Sequence, residues 1–334
     1  MKFKLAAVAA AVAATMALAA CGGGGGSSGF IPPIAVAPPP PPPAPPPPPP
    51  PAPPAPAPAP APATSTFMYE QLPPAGDRAG FLADLNAEGA RGFRFLAPLS
   101  NNQPPGSANV YVKPGDATYV YELTPAPTDA NTFLNDANAA GARGFRWVGT
   151  MSAGGSNLFM YRKDSDTSAT FTYRLEAAAA DRAGYIARGN AQGSEGFYNV
   201  APAYSFGTAL QAIFEKSSLG NSTFTYEVAD AASDEAGFLA QLDEKGGRGF
   251  RFRGPYSYGN IYARDASQSS TFSYQTQVPE AAIADLLQQA NAQGANGYGF
   301  VGQLGTGGVS KIYYYKPVNC TGPALCMPTG PFGP

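Results

Sequence analysis

The chain has 334 residues, a formal net charge of −2, 13% charged residues and no histidine. A near-neutral chain without a basic face is no candidate for nucleic acid. A chain without histidine lacks the commonest general base and the commonest metal ligand.

In chain order, the first segment is a positive start, Lys2 and Lys4, followed by an Ala/Val/Leu-rich stretch from Leu5 to Ala20 and then Cys21. This is the layout of a secretory signal. The stretch is too short and alanine-rich for a bilayer span, which needs about 20 strongly apolar residues. Gly22–Gly26 and Ser27-Ser28-Gly29 follow, with the composition of a flexible linker. Residues 32–62 are almost all proline and alanine. Proline fixes its own φ and pushes the preceding residue to extended geometry. A polyproline II spacer rises about 3.1 Å per residue, so the tract reaches on the order of 95 Å.

The residues Leu18-Ala19-Ala20-Cys21 resemble the lipobox of bacterial lipoproteins. The resemblance implies cleavage before Cys21, a diacylglyceryl thioether on its sulfur and further acylation of the new amino group. Gly22 after the cysteine, in place of aspartate, leans by the same resemblance towards the outer membrane. More than one acyl chain gives stable anchoring. The expectation is therefore a signal peptide at 1–20, a leash without a fold of its own at 21–63, and a lipid-anchored envelope protein facing the periplasm or the cell surface.

From Thr64 the chain repeats. The pairs Gly92-Phe93, Gly144-Phe145, Gly196-Phe197, Gly249-Phe250 and Gly297-Tyr298 step by 52, 52, 53 and 48 residues. Tyr69, Tyr121, Tyr173, Tyr226 and Tyr274, each closing a T-[FY]-x-Y run, keep the same step. Two patterns with one period mark tandem copies. Their bounds read 64–117, 118–168, 169–221, 222–269 and 270–316, with a Pro/Gly-rich tail at 317–334.

Each copy reads as strand, helix, strand, strand, an α+β module with a three-stranded sheet and one helix on one face. Asp77, Asp129, Asp181 and Asp234 stand at the helix N-cap, and copy five has Ala282 there. Apolar residues at i, i+1 and i+4 make one helix face, as in Phe81, Leu82 and Leu85. The first glycine of G-x-x-G-[FY], Gly89 in copy one, suits a left-handed helix stop, and the second a tight return to the sheet. Phe93 and Phe95 are expected inward and Arg94 outward. Third strands are expected at 109–112, 158–161, 209–214, 260–263 and 311–315. This pattern resembles a family of small bacterial β-α-β-β domains of unknown function, which implies a fold and no chemistry.

The arginines are the ambiguous feature. Arg91 and Arg94 recur as Arg143 and Arg146, and as Arg248 and Arg251; copy three is read with Ser194 and Tyr198, and copy five with Ala295 and Gly299. Glu70, Glu122 and Glu227 occur in the copies that carry the arginines. Salt bridges on a wet sheet face are the favoured reading, and an anion-binding row at Arg94, Arg146 and Arg251 is the alternative. Contact between Glu and Arg would argue for adjacent parallel first and second strands. An antiparallel sheet with the third strand in the middle is slightly favoured.

No P-loop, G-x-S-x-G, C-x-x-C or opposed pair of catalytic acids is found. No catalytic residue, cofactor or metal site is expected. Cys320 and Cys326 fit a disulfide in an oxidising compartment. The expected role is non-enzymatic: modules displayed on a stalk for structural or protein-contact purposes. The alternative is glycan or peptidoglycan binding through exposed aromatics, Tyr204, Tyr256, Tyr258 and Tyr313-Tyr314-Tyr315, with the arginines. The partners implied are membrane lipid through Cys21, then the cell wall or other envelope proteins, and no nucleic acid.

Overall fold

The computed structural model describes residues 65–329 apart from 102, 105 and 323. Cys21, the glycine run and the Pro/Ala tract lie outside the described residues. Module one comprises β1 (Met68–Leu72), α1 (Arg78–Ala90), β2 (Arg94–Ser100) and β3 (Ser107–Lys113). Module two comprises β4 (Tyr119–Pro125), α2 (Ala130–Ala142), β5 (Arg146–Ala153) and β6 (Ser156–Asp164). Module three comprises β7 (Phe171–Ala177), α3 (Arg182–Ser194), β8 (Tyr198–Phe206) and β9 (Ala209–Ser217). Module four comprises β10 (Phe224–Ala229), α4 (Glu235–Gly247), β11 (Arg251–Tyr256) and β12 (Gly259–Asp265). Module five comprises β13 (Thr271–Gln277), α5 (Ile283–Ala295), β14 (Gly299–Thr306) and β15 (Val309–Val318). No helix among the described residues is long and apolar enough to cross a membrane.

Every sheet is antiparallel, with the third strand between the first and second. Every helix has 13 residues. Asp77, Asp129, Asp181 and Asp234 each accept the N–H three residues on, and Ala282 supplies no such cap.

Only the second glycine of the repeated corner takes the left-handed position expected of the first. The second is the left-handed one: Gly92, Gly144, Gly196, Gly249 and Gly297 have φ between +85° and +89°. The Gly92 N–H donates to the Gly89 carbonyl and the Phe93 N–H to the Glu88 carbonyl, the double closure of a Schellman motif. The first glycine lies inside the last helical turn. A Cβ on Gly89, Gly141, Gly193 or Gly246 would overlap a backbone carbonyl of the next module's first strand, at Tyr119, Phe171, Phe224 or Phe272. Glycine is required there because two modules touch, not because a helix ends.

That contact recurs a fifth time and closes the chain on itself. A Cβ on Gly294 would overlap the Phe67 carbonyl oxygen. The Phe67 N–H donates to the Gly294 carbonyl at 3.1 Å. The modules therefore form a ring, with each helix wedged between its own sheet and the next. α1 buries Phe81 and Leu85 in one cluster with Tyr111 of its own sheet and Tyr121, Leu123 and Met160 of the second. α5 buries Ile283, Leu287 and Ala290 against Tyr314 of its own sheet and Tyr69, Val110 and Val112 of the first.

Two further contacts repeat around the ring. A helix side chain accepts the N–H of the next first-strand tyrosine: Asn86 from Tyr121, Asn138 from Tyr173, Asn190 from Tyr226, Asp243 from Tyr274, and Asn291 from Tyr69. The tyrosine hydroxyl in turn accepts the N–H of Phe95, Trp147, Asn199, Phe252 or Phe300. Each of these residues stands where the second strand slips register against the third. A bulge leaves one N–H outside the ladder, and the neighbouring module's tyrosine satisfies it.

Candidate functional site

The helix of the preceding module packs on the second face of each sheet, and this reverses the expectation for the arginines. Successive strand residues face opposite ways. Phe95 faces its own helix, where its ring meets Phe81 edge-on at 5.5 Å. Arg94, next to it, faces the middle of the ring and is 3% exposed. Arg146 and Arg251 occupy the matching positions and are as deeply buried.

The exposed ion pairs are made by the other arginine of each corner. Arg91 is the helix C-cap and meets Glu70 at 2.8 Å. Arg143 pairs with Glu122, and Arg248 with Glu227. These contacts form although the third strand separates the first and second, because the guanidinium is carried on the end of the helix over the sheet. Copy three is aligned one residue later than its sequence reading. Glu195, not Ser194, matches Arg91, and it pairs with Arg174 at 2.6 Å. The pair is kept with its charges reversed. In copy five the matching C-cap is Asn296, not Ala295.

A row of cations on the third strand escaped the sequence reading. Lys113, Lys163 and Lys216 donate to the carbonyls of Arg91, Arg143 and Glu195 and lie over Phe93, Phe145 and Phe197 at 5.6–5.9 Å. They hold the corner and leave no common ligand face.

The residue before each of these cations faces the middle of the ring beside the buried arginine position, and here the copies differ. The facing pairs are Arg94 with Val112, Arg146 with Arg162, Tyr198 with Glu215, Arg251 with Ala263, and Gly299 with Tyr315. Arg146 pairs with Glu215 of the next module at 2.7 Å, and the Tyr173 hydroxyl donates to the other Glu215 oxygen at 2.7 Å. Arg162 grips Asp164 through two bonds, of 2.6 and 3.0 Å. Burial works against the Asp164 charge, but Arg162 outweighs it and holds the carboxyl below its usual range.

The tail covers this region. Cys320 and Cys326 are disulfide-bonded, with Cα atoms 5.5 Å apart. Arg251 donates to the Leu325 and Met327 carbonyls at 2.8 and 2.7 Å and lies 4.1 Å from the Tyr315 ring centroid. The Tyr315 hydroxyl donates to the Cys326 carbonyl. Arg94 donates to the Pro328 carbonyl. Between the tail and modules one to four lies a cavity of about 580 Å³, lined by Arg94, Arg146, Asp164, Tyr198 and Glu215 among others. Sequence reasoning placed two of its arginines on the wrong face, named Tyr198 only as the copy-three counterpart of Arg94, and missed Asp164, Glu215 and, beside the cavity, Arg162. The signal that could have found them is divergence: columns that change charge beside columns that do not.

The aromatic residues expected at the surface divide into two sets. Tyr313, Tyr314 and Tyr315 are buried, because β15 is the middle strand of a sheet covered on both faces. Tyr204 and Tyr256 are half-buried and line a second cleft, of about 330 Å³, with Trp147, Tyr185 and Arg253. The rings of Tyr256 and Tyr258 stack at 5.7 Å. Among the described residues no group of three or more His, Cys, Asp or Glu is placed to hold a metal ion.

Compared with protein-family models, with curated proteins and with solved structures, the chain finds no match.

Proposed function

We propose that the chain is a non-enzymatic envelope lipoprotein, anchored through acylated Cys21, that presents the ring on a stiff Pro/Ala stalk as a structural or protein-contact domain. One observation supports the structural part of this reading. The residues common to the copies, the corner glycines, first-strand tyrosines, helix Asn/Asp and third-strand cations, are all engaged in holding the ring together. The anchor rests on the lipobox and the length of the tract behind it. Closure supports a display role, because a ring whose last helix grips its first strand moves as one body. Cys21→Ser is expected to move the protein from the membrane to the soluble fraction, and retention in the membrane fraction overturns the anchor. Protease treatment of intact cells then decides between periplasmic and external partners.

A second reading, glycan or peptidoglycan binding, is favoured by the aromatic cleft. Stacked Tyr256 and Tyr258 offer apolar faces to sugar rings. The Trp147 Nε1 lies buried there with no hydrogen-bond acceptor among the described residues. Retention on purified cell-wall sacculi that is lost in Tyr256→Ala supports it. No retention at low salt ends it.

A further inference from the structure

The middle of the ring is where buried charge fails to balance. Four buried guanidiniums lie on or beside the central cavity, those of Arg94, Arg146, Arg162 and Arg251, against three buried or half-buried carboxylates, Asp164, Glu215 and Asp265, while Asp166, Glu195 and Lys216 of its lining are exposed to solvent. Arg162 is matched by Asp164, Arg146 by Glu215 and Arg251 by the tail carbonyls. Asp265 holds Ser267 and Gln268. Arg94 has the Pro328 carbonyl as its acceptor and no carboxylate at ion-pair distance among the described residues. Burial, and then Arg162, lower its pKa to about 10. A buried charge without a counter-charge is costly, and hydrocarbon of similar volume is often more stable in its place.

Two other donors line the same cavity unsatisfied. The Arg146 Nε and the Tyr198 hydroxyl are buried and have no hydrogen-bond partner among the described residues. The same lining holds the apolar side chains of Phe171, Phe224, Leu325 and Met327 among polar ones such as Thr167, Ser222 and Gln268. The cavity volume falls in the range of small-molecule sites, about 300–1,000 Å³.

We propose that the central cavity binds a small organic monocarboxylate, its carboxylate on Arg94 and its apolar body against Phe171, Phe224 and Leu325. The surplus of one buried positive charge calls for one negative charge. The planar guanidinium fork matches a carboxylate edge. Inorganic phosphate is largely doubly charged at pH 8 and turns the surplus into a deficit. The apolar walls favour a carboxylate with a ring or short chain over acetate. The site is independent of the aromatic cleft and of the anchor, so binding by the purified full chain stands or falls without either.

The test uses phenylacetate on the purified full chain at pH 8, with phenylacetamide as the uncharged control and inorganic phosphate as the competing anion. Phenylacetate at about a hundred times its Kd raises Tm by several degrees, through preferential binding to the folded state. Phenylacetamide and phosphate give no such rise. Arg94→Met removes the phenylacetate shift, weakens its affinity at least tenfold by calorimetry, and raises the unliganded Tm by about 2–4 °C. Arg94→Gln, the second variant, also loses the shift. The proposal is overturned by no shift with phenylacetate, by an equal shift with the amide, by a larger shift with phosphate, or by an undiminished shift in either variant. A fall in the unliganded Tm of Arg94→Met overturns the claim that Arg94 is carried at a cost.

Discussion

The corners between modules and the middle of the ring are built from neighbouring residues and behave in opposite ways. At the corners five copies repeat one solution. Gly89, Gly141, Gly193, Gly246 and Gly294 each lie against the next first strand, and Gly92 and its counterparts each close a helix. One step away, in the middle, the five facing pairs are all different, from Arg146 with Arg162 to Gly299 with Tyr315. Packing between identical modules keeps a position constant, since every copy meets the same neighbour. A shared central space has no such requirement, because five identical arginines there would repel. Constancy therefore marks scaffold and divergence marks the candidate site.

The largest effect is expected in the middle. Asp164→Asn leaves Arg162 buried without its carboxylate, and breaking such a pair costs about 3–5 kcal/mol. Urea unfolding at pH 7 measures it. Acid probes the same group. The folded Asp164 pKa lies below its ordinary value, so the stabilisation is complete above the unfolded-chain pKa of about 3.9. It disappears as pH falls through the lower folded value. Wild type loses stability over that window and Asp164→Asn loses less. An acid limb of the same steepness in both removes Asp164 from the balance.

The corners come next. Gly294→Ala sets a Cβ against the Phe67 carbonyl at the seam where the ring closes. Overpacking costs about 1–3 kcal/mol, occasionally more, and contact with backbone places this variant at the upper end. Gly247→Ala is the control, one residue beyond the matching glycine of module four, where the added Cβ meets nothing within 4 Å. Glycine to alanine in a helix is worth about 0.5–1 kcal/mol in alanine's favour. Equal stability for the two variants by urea unfolding denies that α5 seats on β1.

What the sequence carried was periodicity; what it withheld was partnership across copies. The glycine and tyrosine intervals fixed the number of modules, the aspartates fixed the helix starts, and the alternation in each strand fixed its extent. None of these says which neighbour a face meets. Closure is set by Gly294 and Asn291 meeting Phe67 and Tyr69, more than 220 positions away in sequence, and the same letters would serve an open array. The reading of Arg94 as outward failed for this reason: a sheet considered alone leaves that face open, and in the ring the face that carries Arg94 is covered. The Glu/Arg pairing was legible because it is local to a module. The carboxylates of the middle were not, since Arg146 finds Glu215 in another copy.

Smaller than either is the loss of one inter-module hydroxyl. The Tyr226 hydroxyl accepts the Asn199 N–H at 2.6 Å across the boundary between modules three and four. Tyr226→Phe leaves that buried donor unsatisfied, a penalty of about 1–3 kcal/mol. Amide exchange at Asn199 is the direct readout, and it quickens if the bond is what protects it. Unchanged exchange at Asn199 makes the strand slip self-sufficient and takes the tyrosine out of the scaffold.

The smallest effect belongs to the exposed pairs, and module three offers a test of whether they matter by charge or by shape. Arg174 and Glu195 carry the pair of the other modules with its signs exchanged, and both side chains are about half exposed. Exposed pairs contribute about 0–1 kcal/mol. Arg174→Glu alone places two carboxylates together and is expected to lower stability by a few tenths of a kcal/mol. Adding Glu195→Arg restores the orientation of modules one, two and four, and should recover the loss. Both differences should shrink in 1 M salt, where charges are screened beyond about 3 Å. One asymmetry works against full recovery, because the Arg174 guanidinium lies 4.1 Å from the Phe197 centroid, closer than Arg91 lies to Phe93 at 5.0 Å. A residual loss that persists in 1 M salt therefore measures the ring contact, and its disappearance in salt assigns the whole effect to charge.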